Sequence, residues 1–206
     1  GYVGKMDGFN RQLKRRPYPD QPLALDDHGI TQANLIFLME LDKEISENWL
    51  TQTIQDGLQG LINAQYPNGA WPMNFPYTNG GKESLYYFND EVINMSIKAL
   101  LLAHGQYGNP EYLQAALKGV DFILQSQFPE PWCGWAEQYG YDMKPAEGRP
   151  WEQPSISALA AQYNINTLIM VAEHTGDTAY LEPAIRAANW LRSCQVGPNL
   201  WSRNYN

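Results

Sequence analysis

Residues 86–94 read YYFNDEVIN, which sets Asp90 and Glu91 side by side in front of an apolar run. Two chemistries suit such a pair. An Asn or Asp at a helix start accepts bonds from unpaired backbone N–H groups, and a following acid favours the positive end of the helix dipole. Oxygens of Asp, Asn and Glu are also what a hard cation such as calcium requires. Two other acid-bearing stretches precede apolar runs: DDHGIT (26–31), with Asp26 and Asp27, and RPWEQPS (149–155), with Arg149 and Glu152. A further arginine, Arg203, lies in LWSRNY (200–205). Acids of this kind suit a cation, and planar guanidinium forks suit an anionic ligand held by two parallel bonds. No His/Cys set suits zinc: His28 follows Asp27 with no second His at metal spacing and reads as a hydrogen-bond partner. His104 and His174 end apolar runs, where a cation favours the dipole, and read as structural.

The elements that must position these residues are set out by an internal repeat. GLQGLINAQ (57–65), GVDFILQSQ (119–127) and AANWLRSCQ (187–195) recur with their final glutamines 62 and 68 residues apart. Each is preceded by an aromatic–Leu pair and followed within nine residues by a tryptophan: Trp71, Trp132 and Trp135, and Trp201. A period of that size holds one large helical hairpin per unit. The second helix of each unit carries one apolar stripe, as in Ile54, Leu58, Leu61 and Ile62. The first is apolar nearly all round, as in LIFLMEL (35–41), IKALLLA (97–103) and NTLIMVA (166–172), and is expected to be buried. The pattern predicts an all-α fold, an α/α toroid of three hairpins spanning residues 1–206 as one domain, with residues 1–25 as an arm. Inner helices are expected near 31–42, 90–104 and 155–174, and outer helices near 48–64, 110–126 and 178–194.

In a helical hairpin the start of the first helix and the end of the second share one end of the bundle. The three acid-bearing segments and the three tryptophan-bearing ones therefore converge on one face. Exposed Trp and Tyr offer flat apolar area to sugar C–H surfaces, and charged groups take hydroxyls and acids, so that face suits carbohydrate. The plainer alternative is that the tryptophans plug the end of the toroid. With aromatics at 13%, the chain can bury a core, and a net charge of −8 disfavours nucleic acid or an anionic membrane as partner. The basic run Arg11, Lys14, Arg15 and Arg16 reads as a solvated segment or an anion-binding edge. Two cysteines, Cys133 and Cys194, make no disulfide scaffold and read as thiols.

Taken in order along the chain, these motifs resemble the family 10 polysaccharide lyases, which are pectate lyases. NAQYPNGAWP is similar to their N/A-A-Q-Y-P-N-G-G-W-P loop, FNDE to F-N-D-D, and WAEQY…GRPWEQPSIS to W-x-x-Q-(H/Y)-x…A-R-x-Y/F-E-P-P-S. LWSRNY resembles L-W-A-R-F-Y, DDHGIT resembles D-N-G-A-T, and GYVGKMD is a weaker match to G-G-W-P-K-N-x-D. The resemblance implies a threefold α/α toroid, calcium as cofactor, and β-elimination of polygalacturonate by a secreted or periplasmic monomer. Residue by residue it implies Asp90 as a calcium ligand, with Glu91 beside it, and Asp27 at both cation and substrate. Arg149 and Arg203 would grip uronate carboxylates, and Lys5, His28, Asn89, Trp71, Tyr139 and Glu152 would complete the substrate site. The chain has Asp27-His28 where the family has D-N. The family's base arginine lies just past L-W-x-R-x-Y, beyond Asn206, so the 206 residues are expected to bind the polymer and turn it over poorly. Two other readings stand beside the lyase. One is an inverting hydrolase on an α/α toroid using Asp27, Asp90 and Glu152; the other is a non-catalytic uronate-binding relative.

Overall fold

A computed structural model of the chain describes residues 23–25, 29–76 and 85–206. Lys5, Asp26, Asp27, His28 and the basic run at 11–16 lie outside the described residues. Six long helices pair as three hairpins: α1 (Ile30–Ile45) with α2 (Asn48–Ala64), α3 (Val92–Tyr107) with α4 (Pro110–Ser126), and α5 (Ala158–Thr175) with α6 (Leu181–Ser193). The repeat thus marks the hairpins, and its spans agree with the expected ones to within about a turn. Local chemistry sets the boundaries. Asn109 caps α4 by accepting from the Glu111 N–H behind Pro110, while Gly108 and Gly176 close α3 and α5 in the left-handed conformation.

Inner helices α1 and α5 both pack on α3, and the outer helices cover them. Burial departs from the sequence expectation in one respect. α3 is buried nearly all round, through Val92, Ile93, Ile97, Leu100 and Leu101, because it has an inner neighbour on each side. α1 and α5 are not. Phe37 is 63% exposed and Ile169 38%, since among the described residues these helices are flanked by an inner helix on one side only.

Short strands tie the loop end together, an element the helical pattern did not announce. β1 (Leu23–Ala24) pairs with β2 (Asn74–Phe75), and β3 (Tyr86–Tyr87) with β5 (Gln138–Tyr139). β6 (Ile156–Ser157) lies between β4 (Trp135–Ala136) and β9 (Asn204–Tyr205), and β7 (Gln195–Gly197) pairs with β8 (Leu200–Trp201). In all but the β7–β8 hairpin, a segment leading into an inner helix pairs with a segment leaving an outer one. The expected convergence on one face is therefore built from backbone hydrogen bonds.

The repeated Trp and Gln residues have a structural role. Indole Nε1 of Trp71, Trp135 and Trp201 donates to the carbonyls of Leu61, Ile123 and Leu191 at 2.8, 2.7 and 2.7 Å. Those carbonyls lie in the last turn of each outer helix, where intrahelical donors run short; Leu191 O also accepts from the Cys194 N–H at 3.1 Å. Gln65 and Gln127 reach the next hairpin, donating to Ala115 O at 2.8 Å and Pro183 O at 3.0 Å. The turn between Gln65 and Trp71 depends on Gly69, at φ +96° with its backbone against Lys118 O, where a Cβ would lie 1.9 Å from that oxygen.

At the opposite end, His104 Nδ1 and His174 Nε2 are 2.8 Å apart, joining α3 to α5. Desolvation, then the neighbouring His104, holds the His174 pKa below its ordinary value. An unfolded chain takes up that proton at higher pH than the folded one, so stability should fall as pH drops below about 6.5. Urea unfolding at pH 7 and pH 5.5 should show this slope in the native chain and a flatter one in His174→Gln. Equal slopes would remove the pair as its cause.

Candidate functional site

The site is assembled where the strand pairs bring four loops together. The residues before α3 form a short 3₁₀ turn, Asn89–Glu91, with Asp90 at φ 52° and Glu91 at φ 58°. Two successive non-glycine residues in the left-handed region cost energy that the surroundings must offset. No side chain caps α3, so neither acid serves as the helix cap that its position allowed. Asp90 instead turns its carboxylate to Arg149, with Oδ2 2.8 Å from Nη2. The Glu91 carboxylate makes no hydrogen bond or ion pair to a described residue.

Arg149 begins the turn that leads to α5. Its backbone N–H donates to Glu152 Oε2 at 2.8 Å, and its Nε lies 3.4 Å from Glu152 Oε1. Glu152 is 1% exposed, and its Oε1 also accepts from Asn89 Nδ2 at 2.9 Å. The backbone can cross this buried carboxylate only at Gly148, where a Cβ would stand 2.3 Å from both Glu152 Oε2 and Gln138 Nε2. Arg203, on the turn before β9, is held by a second buried acid. Its Nε and Nη2 donate to the two oxygens of Glu137 at 3.0 and 2.9 Å, and its Nη2 lies 3.9 Å from Glu152. Glu137, 3% exposed, also accepts from Ser157 Oγ at 3.0 Å.

The result is a chain of charges, Asp90–Arg149–Glu152–Arg203–Glu137, with both guanidiniums about half exposed and two of the acids buried. Hydrogen bonding to Glu137 raises the Arg203 pKa further, with Glu152 and Asp90 adding to it. Arg203 therefore remains a cation and works as a clamp, not as a proton acceptor. The Tyr163 hydroxyl on α5 faces the same acids: desolvation, then Glu91, Asp90 and Glu137, keep it protonated to higher pH than usual.

The expected residues separate into three groups. Asp90, Arg149 and Arg203 meet at the surface, with Glu91 adjoining. Asn89 and Glu152, expected to touch substrate, are buried and act by holding the arginines. Trp71 and Tyr139, expected as sugar platforms, are corrected by burial. Trp71 is fully enclosed with its Nε1 on Leu61 O, and Tyr139 packs on Phe88 and Phe122 with its hydroxyl on Ser126 O. The plug reading, made for the tryptophans, holds for Trp71, and Tyr139 is enclosed in the same way. Lys5, Asp27 and His28 lie outside the described residues. Glu137 is a site residue that the sequence reading misses, although it stands in WAEQY, two residues after a repeat tryptophan, and an acid in a convergent loop is the available signal.

Fold and site together define an α/α toroid whose loop end carries an arginine–carboxylate network. The chain belongs to the pectic acid lyase family, whose model matches residues 5–203. Among solved structures, it is similar to a family 10 polysaccharide lyase from Cellvibrio cellulosa (24% identity, TM-score 0.69), covering 84% of this chain and 56% of that one. A mutant of that lyase in complex with trigalacturonic acid aligns with a TM-score of 0.69 at 23% identity, covering 84% of this chain and 57% of that one. A cellobiose 2-epimerase from Spirochaeta thermophila shares the fold at 14% identity and TM-score 0.69, covering 92% of this chain and 48% of that one. The chain thus spans little more than half the length of the lyases it matches. No curated protein matches at a significant level.

Proposed function

We propose that this face binds the acidic chain of polygalacturonate and cleaves it by calcium-dependent β-elimination. What carries the reading is two half-exposed guanidiniums, Arg149 and Arg203, fixed in place by buried carboxylates on the loop end of a pectic acid lyase toroid. The relative bound to trigalacturonic acid supports the same ligand class. In elimination, a base takes the proton α to the uronate carboxylate, and the glycosidic C–O bond at the β carbon breaks, its oxygen leaving with a proton from solvent. The electron pair forms a double bond conjugated to the carboxylate. Negative charge grows on that carboxylate in the transition state, and preorganised guanidinium donors stabilise it there.

Calcium is part of the proposal because three carboxylates, Asp90, Glu137 and Glu152, ring the two arginines, Glu91 adjoins Asp90, and a polyanion must approach them. When bound, it would supply charge neutralisation and Lewis-acid polarisation. The donor set fits a hard cation: Glu91 has no hydrogen-bond or ion-pair partner among the described residues and adjoins Asp90, and both offer oxygen alone. Among the described residues no three His, Cys, Asp or Glu side chains gather to hold a metal. Asp90 and Glu91 would hold the cation, with Asp27 as a further contributor under this proposal. No helix among the described residues is long and apolar enough to cross a membrane, and action on an external polymer implies secretion.

The test is a polygalacturonate digest followed by ultraviolet absorbance and by reducing-end titration. Elimination yields both signals, and a chelator abolishes both; hydrolysis yields reducing ends alone. Asp90→Ala should lose calcium binding by calorimetry while the fold persists. Reducing ends without absorbance, or undiminished calcium affinity in Asp90→Ala, would overturn the corresponding part.

A further inference from the structure

A cleft lies between α3 and α5, next to Glu91 of the site. Glu91, Met95 and Lys98 on one side and Tyr163, Asn166 and Met170 on the other line its volume of about 210 Å³. A water's share of liquid volume is about 30 Å³, so the cleft is sized for a single sugar ring and not for an oligosaccharide. It descends from the site, because Glu91 to Lys98 is seven helical steps, about 10 Å.

Its lining is chemically graded. Lys98 makes no hydrogen bond or ion pair to any described residue, so among these residues its charge has no partner. Met95 and Met170 give apolar surface, and Asn166 and Tyr163 give hydrogen-bonding groups. The Tyr163 hydroxyl can donate or accept. The wall is fixed by buried amides: Asn94 Nδ2 donates to Asn164 Oδ1 at 2.8 Å and to Thr167 Oγ1 at 2.9 Å. The Asn94 Oδ1 has no partner among the described residues.

We propose that this cleft is a subsite for one uronate residue, with its carboxylate on Lys98, its hydroxyls on Asn166 and Tyr163, and its C–H face on the methionines. A neutral sugar would leave Lys98 without an anionic partner. The proposal rests on the uronate reading above and extends it to a place and a set of residues that the arginine network does not include.

The experiment is calorimetric titration of the chain with D-galacturonate and with D-galactose. The native chain should prefer galacturonate by about tenfold or more, as a hydrogen bond to a charged group allows. Lys98→Met should erase that preference and Lys98→Arg should keep most of it. Because Lys98 is exposed, neither variant threatens folding, which a melting curve checks. A preference unchanged in Lys98→Met, or absent in the native chain, overturns the subsite. Loss of preference in Lys98→Met, in a chain that binds no polygalacturonate, sustains the subsite and sinks the polymer reading. Polygalacturonate binding with a galacturonate preference indifferent to residue 98 does the reverse.

Discussion

Replacing Arg203 by alanine should destabilise the protein by about 3 kcal/mol, the cost of leaving a buried carboxylate without its partner. Glu137 is 3% exposed, and both its oxygens accept from this guanidinium. After truncation, Ser157 Oγ is the remaining side-chain donor to it among the described residues. Water cannot easily replace the rest, because Glu137 lies between β4 and β5, beneath the loops. For a chain of this size such a loss lowers Tm by roughly 6–12 °C. The double variant Glu137→Gln/Arg203→Met should recover much of it, since a neutral amide carries no desolvated charge. Chemical denaturation of the single and double variants decides the matter. A loss below about 1 kcal/mol in Arg203→Ala would mean that Glu137 is adequately solvated, and that the pair is a surface ion pair of ordinary strength.

The helices were legible because their signals are local and repeated. Each outer helix shows one apolar stripe, and each unit ends on the same Gln with a Trp shortly after. What the repeat means is visible only in three dimensions. The Trp Nε1 groups of residues 71, 135 and 201 satisfy helix-end carbonyls, and Gln65 and Gln127 fasten their loops to the neighbouring hairpin. A loop tryptophan looks the same in sequence whether it faces sugar or carbonyl, and this is why Trp71 reads as a ligand platform. The half-open faces of α1 and α5 escape for a related reason. Apolar composition shows that a helix can be buried, but not how many neighbours it has. Phe37 and Leu101 read alike in sequence, each inside an apolar inner-helix run, yet Phe37 is 63% exposed and Leu101 is 2% exposed.

The site was legible as a set of charges and not as a network. Convergence of the loops brought Asp90, Arg149, Glu152 and Arg203 into one group, and the strand pairs bear that out. Which acid touches ligand and which holds an arginine depends on burial, and burial of a loop carboxylate leaves no local pattern. Glu152 is buried because Gly148 lets the backbone pass over it. The paired left-handed residues Asp90 and Glu91 likewise have no sequence signature, since Asp is only moderately tolerant of that conformation and Glu less so.

Arg149→Lys should weaken binding of oligogalacturonate by roughly 10- to 100-fold, a loss of about 1.5–3 kcal/mol. The guanidinium is held on two edges, Nη2 to Asp90 Oδ2 at 2.8 Å and Nε to Glu152 Oε1 at 3.4 Å, so its plane is fixed before any ligand arrives. The remaining N–H donors of this half-exposed side chain are then presented with little further loss of rotamer freedom. A lysine at this position keeps the charge but has one compact head group. It can satisfy Asp90 or reach a uronate, and it cannot brace against Glu152 while doing either. The charge-conserving change therefore separates geometry from net charge, which Arg149→Ala would not. Titration with trigalacturonate at constant ionic strength and saturating calcium reads the effect directly. Affinity within about twofold of the native chain, well under the tenfold that 1.4 kcal/mol represents, would show that Arg149 contributes only charge, leaving Arg203 as the one planar clamp among the described residues of this face.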